Sequence, residues 1–119
     1  MPTEIRTRIT LLLPAPTTYP QYLLVDTILT GLTQVCGGVT VSSDIPTVFT
    51  GWWWDMTARQ VQHDANLLII ADAPVGIRSP SLTLYLDSLK RRAQQDFAQD
   101  VIWVTIHQVE RIATDDYIK

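Results

Sequence analysis

From residue 4 to residue 13 apolar and polar side chains alternate. Ile5, Ile9, Leu11 and Leu13 share one parity, and Arg6, Arg8, Thr10 and Leu12 the other. A period of two predicts a strand, because successive side chains leave opposite faces. Pro14-Ala15-Pro16 should stop it, since proline brings no ladder donor. From 19 to 36 the period changes. Tyr22, Val25, Leu29 and Leu32 follow the three-to-four spacing of one helical face, widened by Leu24 and Ile28. Thr17 or Thr18 can cap this helix, and Pro20 suits its first turn. Gly37-Gly38 ends it, because glycine accepts the left-handed conformation beyond a helix C-terminus.

Residues 39–54 then predict a bent extended segment. Val39 and Val41 open it, an excursion over 42–47 interrupts it, and Thr47 to Trp54 resumes strand chemistry. Asp55-Met56-Thr57-Ala58 is a turn candidate. The next strand covers 59–72, with Val61, His63, Ala65, Leu67, Ile69 and Ala71 on one face. Gln62, Asp64, Asn66, Leu68 and Ile70 take the other. Ser79-Pro80 is a strong helix start, and Leu82, Leu86, Leu89, Ala93 and Phe97 carry an apolar stripe to about Gln99. Val101 to Glu110 is the last strand, followed by a polar tail from Arg111 to Lys119.

The resulting order, β-α-β-β-α-β, resembles the ferredoxin-like split βαβ arrangement. The resemblance implies an α+β fold: a four-stranded antiparallel sheet with two helices on one face, in a single domain over 1–119. Right-handed crossovers place the first and third strands centrally and the fourth beside the first. The helix-facing parity then holds Ile5, Ile9, Leu11, Leu13, Val61, Ala65, Leu67, Ile69, Ile102, Val104 and Ile106. The opposite face carries Arg6, Arg8, Thr10, Leu12, Leu68, Ile70, Trp103, Thr105 and His107. Leu12, Leu68, Ile70 and Trp103 are too apolar for a plain solvent face. A second copy is the simplest cover, because twofold homo-oligomers are the commonest assemblies. A homodimer is therefore expected. Two sheets packed in this way would resemble the dimeric α+β barrel proteins, many of which hold small ligands or catalyse chemistry between sheet and helices.

Composition narrows the field. The chain has 119 residues, 46% hydrophobic and 18% charged, which suits a globular domain. A net charge of -3 argues against a nucleic-acid module. The short basic run Lys90-Arg91-Arg92 is expected to be a solvated helix face. One cysteine, Cys36, excludes an intrachain disulfide and a cysteine-cluster metal site. No apolar run approaches the roughly 18 residues of a membrane helix, and Leu11-Leu12-Leu13 is too short for a signal-peptide core. The expected location is the cytoplasm, with no cofactor and no metal.

Three features could carry chemistry. Trp52-Trp53-Trp54 alternates indoles across a strand, so Trp52 and Trp54 could form an aromatic platform for a flat ligand. Packing at a hairpin tip or subunit interface is the plainer reading. Arg6, Arg8 and His107 should converge where the last strand runs back beside the first. Two guanidiniums beside an imidazole suit a carboxylate or phosphate. The plainer reading pairs these arginines with Asp64, Asp72 or Glu110 across a dimer. His63 and Asp64 face opposite ways and cannot act as a pair within one strand. Cys36, before Gly37-Gly38, is expected to be a small buried hydrophobe.

The expectation is an interaction protein that self-associates through its open sheet face at Leu12, Leu68, Ile70 and Trp103. A second reading is a binding module for an anionic or aromatic molecule at Arg6, Arg8, His107, Trp52, Trp54 and Trp103. A third is a cofactor-free enzyme of the dimeric-barrel type, with His107 or Asp64 as base.

Overall fold

The computed structural model describes residues 3–42, 49–55, 59–99 and 101–112, with the backbone alone of 49–55 and 60–65. Strand β1 spans Thr3–Pro14, helix α1 Tyr19–Cys36 and the short β2 Thr40–Val41. Strands β3 and β4 span Phe49–Asp55 and Gln60–Ala73. Helix α2 covers Pro80–Asp96 and β5 Trp103–Ile112. All strand pairs are antiparallel. β1 and β4 are central, β5 lies beside β1, and β2 and β3 both pair with the far side of β4. β2 and β3 are thus two parts of one interrupted edge. This is the ferredoxin-like α+β fold, four antiparallel strand positions with two helices on one face. The excursion expected over 42–47 falls, except for Ser42, outside the described residues, as do residues 56–58 of the turn.

Local chemistry accounts for the element ends. The Thr18 hydroxyl accepts from the Gln21 amide, and Pro20 occupies the first turn of α1. Gly37 follows α1 with φ of 84° and donates its amide to the Thr33 carbonyl, the left-handed cap that glycine enters without a Cβ clash. The Ser79 hydroxyl accepts from the Leu82 amide at the start of α2. α2 stops at Asp96 rather than near Gln99, because Ala98 turns to positive φ directly after the Phe97 cap. β5 begins at Trp103, not Val101, and takes in Arg111 and Ile112, which were expected in the tail.

The core lies between helices and sheet. Ile9, Leu11, Leu13, Leu67 and Ile69 are buried against Leu24, Ile28, Leu32, Leu82, Leu86 and Leu89, with Phe97 and Ile102 closing one side. Two expected core residues are not in it. Ile5 is 55% exposed, because β4 ends at Ala73 opposite Thr7 and leaves Ile5 with a neighbour strand on the β5 side alone. Tyr22 is 53% exposed in the first turns of α1, while Leu24 and Val25 make the buried contact there. Thr7 occupies a core-facing position without exposing its hydroxyl to an apolar wall. It donates to the Val75 carbonyl at 2.8 Å.

β4 is longer than its partner. Its pairing with β1 stops at Asn66, opposite Pro14, while pairing with β3 continues to Gln60 opposite Asp55. The two strands therefore run past the body of the sheet as a ribbon, and the molecule measures 56 × 29 × 23 Å. Among the described residues no helix is long and apolar enough to cross a membrane.

Candidate functional site

Register arranges the helix-free face of the sheet in rows across β4, β1 and β5. Leu68, Leu12 and Trp103 form one row. Ile70, Thr10 and Thr105 form the next, extended by Thr40 of β2. Asp72, Arg8 and His107 form the third. Beyond β4 the face continues as Arg6 beside Val109 and Glu4 beside Arg111. The face grades from apolar, through hydroxyl-bearing, to charged over a few residues of strand. The structure thus brings together Arg6, Arg8 and His107 at one end, and Leu12, Leu68, Ile70 and Trp103 at the other. Trp103 is 63% exposed, whereas Leu12, Leu68 and Ile70 are half-buried among their neighbours.

The backbones of Trp52 and Trp54 lie in the ribbon, in register with His63 and Val61. Their side chains, like those of His63 and Asp64, are outside the described residues. The aromatic platform and any role of Asp64 as a base stay sequence expectations.

In the charged rows all three guanidinium groups have carboxylate partners within the chain. Arg8 clamps Asp72 through two parallel hydrogen bonds, Nε to Oδ1 at 2.8 Å and Nη2 to Oδ2 at 2.9 Å. Arg6 donates to Glu4 at 3.1 Å, and Arg111 donates to the same Glu4 oxygen at 2.9 Å. The arginine–aspartate contact expected between subunits at Asp72 is thus made within one chain. The register explains it: Arg8 and Asp72 are directly opposed on adjacent central strands.

A second contact ties Arg6 to the edge of β4. Ser42 and Leu68 form a hydrogen-bonded rung, with the Ser42 amide on the Leu68 carbonyl and the Leu68 amide on the Ser42 hydroxyl, each at 3.0 Å. Two steps along, Thr40 faces Ile70. The following rung would join Gly38 to Asp72, but β2 begins only at Thr40. The Asp72 carbonyl left over at this edge accepts instead from Arg6 Nη1 at 3.4 Å. Beside it lies a groove of about 310 Å³ lined by Arg8, Gly38, Thr40, Ile70 and Asp72.

The hydrogen bonds from Arg8 hold the Asp72 carboxyl below the ordinary carboxylate range. Partial burial opposes this, and the charges of Arg8, Arg6 and His107 add to the lowering. Burial pushes the Cys36 thiol up, with Asp72 acting in the same direction and Arg6 against it. Cys36 is buried and held as the thiol, which fits its expected role as a small hydrophobe. The Asp72 shift has a sign that can be checked. A carboxyl with a lowered folded-state pKa stabilises the fold above its unfolded pKa, and the contribution disappears as pH falls through the folded one. Asp72→Asn should therefore lower stability near neutral pH by about 1 kcal/mol or less, given the partial exposure of the pair. The gap to the native chain should close on acidification through Asp72's lowered range. Urea midpoints of both chains across a pH series measure it, and a gap that widens in acid would contradict the assignment.

The sequence reading missed Asp72 as an intrachain partner, together with Glu4 and Arg111. The available signal was parity: Asp72 continues the Leu68–Ile70 series on the open face. Among the described residues no cluster of His, Cys, Asp and Glu could hold a metal.

No protein-family model matches the chain, and no curated protein does. Several solved structures are similar in fold. CutA1 from Oryza sativa superposes with a TM-score of 0.54 at 20% identity, over 90% of this chain and 82% of that one. A phage SAM lyase in complex with S-methyl-5'-thioadenosine gives 0.54 at 16% identity, over 93% and 92%. CutA from Synechococcus elongatus gives 0.51 at 10% identity, over 91% and 80%. At these identities the likeness is one of fold.

Proposed function

We propose that the chain is a homo-oligomeric interaction protein whose subunits meet, as a homodimer, on the open sheet face. The supporting observation is the row Leu68–Leu12–Trp103 with Ile70 beside it, which the helices of the same chain leave uncovered. Fully burying a leucine, isoleucine or comparable side chain stabilises by roughly 1.5–3 kcal/mol. A twofold contact centred on this row doubles each contribution and keeps the charged rows at its rims. Sedimentation velocity over low-micromolar concentrations tests the proposal. A mass of two chains is expected, and a single chain of 13.4 kDa at every concentration would overturn it.

A second reading has its own support. The groove of about 310 Å³ beside the Arg8–Asp72 pair offers charged groups, a hydroxyl and apolar surface together, a mixture suited to a small polar molecule. One similar fold was solved with S-methyl-5'-thioadenosine bound. That compound is therefore the first probe to titrate, with tryptophan fluorescence and thermal shift as readouts. A saturable response weakened by Arg8→Gln would favour a binding module on this face. An enzymatic reading would rest on His107, which stands exposed beside Arg8.

A further inference from the structure

The two helices cover the sheet but do not close on one another along their whole length. Between them lies a cavity of about 160 Å³ on the side of the molecule away from the open sheet face. Leu24 and Ile28 of α1 and Leu89 of α2 form its floor, all three buried. Tyr85 forms a half-buried wall, and the exposed Arg92 stands at the rim.

Two features give this cleft polarity. The Tyr85 hydroxyl leans on α1 at Gly31, where an added Cβ would come within 2.7 Å of it. Glycine in a helix interior is less favourable than alanine by roughly 1 kcal/mol, and here it makes the space for the phenol. Among the described residues that hydroxyl has no hydrogen-bond partner. Burial pushes its pKa up, so it remains a donor at neutral pH. At the other end, Arg92 makes one loose ion pair among the described residues, to Asp96 on its own helix at 3.8 Å. Exposed pairs of this kind are weak, so the guanidinium can turn to a ligand.

We propose that the cleft between α1 and α2 binds a small aliphatic carboxylate that carries a hydrogen-bond acceptor at its far end. The chain lies on Leu24, Ile28 and Leu89, the carboxylate meets Arg92, and the acceptor receives the Tyr85 hydroxyl. Arg92 follows Tyr85 by seven residues, so the two groups stand on one face of α2, about 10 Å apart along its axis. A space of about 160 Å³ accommodates a chain of about six carbons.

Titration of the full chain with 5-oxohexanoate, hexanoate and 2-hexanone, followed by amide resonances in two-dimensional NMR, tests the proposal. Shifts should centre on Thr27, Ile28, Ser88 and Leu89, with affinity falling in the order the probes are named. Arg92→Gln should weaken both acids by about tenfold and leave the ketone unchanged, as expected for loss of a charge-assisted contact. Tyr85→Phe should abolish the preference for 5-oxohexanoate over hexanoate. No shifts at millimolar probe, shifts confined to the open sheet face, or equal binding of acid and ketone to the native chain would each overturn it. The native-chain order decides the matter even if a variant fails to fold. Because the cleft and the open face lie on opposite sides, a dimer formed on the open face would leave this result unchanged.

Discussion

Leu11→Ala should lower the unfolding free energy by about 2–5 kcal/mol, the range for truncating a leucine in a site that cannot collapse. Leu11 is completely buried on the central strand β1. Its register partners are Ile69 on β4 and Val104 on β5, so both lateral neighbours are held by backbone ladders. The helix layer above is held by the Thr18 and Ser79 caps, and by Leu32, Leu82 and Leu86 beneath it. With neighbours fixed on three sides, the removed methyl groups leave a void that little can fill. A total stability of about 5–15 kcal/mol makes such a loss large. It will appear as a fall in urea midpoint with an unchanged slope, compared at equal chain concentration. A shift under 1 kcal/mol would mean that Leu11 is not packed as described.

The second large effect concerns the residue next to it. Leu12→Asp should leave the protomer folded and weaken self-association by roughly a hundredfold or more, since an unpaired buried carboxylate costs several kcal/mol. Leu12 occupies the middle of the apolar row, between Leu68 and Trp103. In a single chain the new carboxylate would reach water from the open face. In the proposed dimer it would lie at the centre of the contact with no cation in its row. Sedimentation velocity and circular dichroism together separate the outcomes. A folded monomer supports the interface, and a folded dimer of native affinity places the contact elsewhere. The opposite responses expected at Leu11 and Leu12 follow from the two-residue period of the strand.

That period explains how much of the fold was legible. Alternation in β1 and β4, the glycine stop of α1 and the Ser79-Pro80 start of α2 are local signals. The strand order followed from crossover handedness once the elements were in sequence. Ile5 and Tyr22 show where such signals end. Parity says which way a side chain points, but whether anything lies there depends on how far β4 and the helices extend. The same holds for the candidate site. Arg6, Arg8 and His107 were placed together by strand direction alone. The Arg8–Asp72 clamp needed the register of β1 against β4, which hydrophobic periodicity leaves open. The cleft between the helices had no signature in the chain, because it arises from the spacing of two helices that periodicity along either one leaves open.

The central position of β1 also governs how the molecule can be assembled in time. Thr3 pairs with Ile112 and Leu12 with Trp103, so one flank of the earliest strand is closed by the latest one described. During synthesis β1 must wait, with that edge open, until about a hundred further residues have emerged. Closing so long a loop is entropically costly and slows folding relative to chains with local pairings. In the meantime an apolar strand edge is available to any neighbouring chain. Yield on expression should therefore respond to temperature and synthesis rate more than the equilibrium stability of the finished fold would suggest.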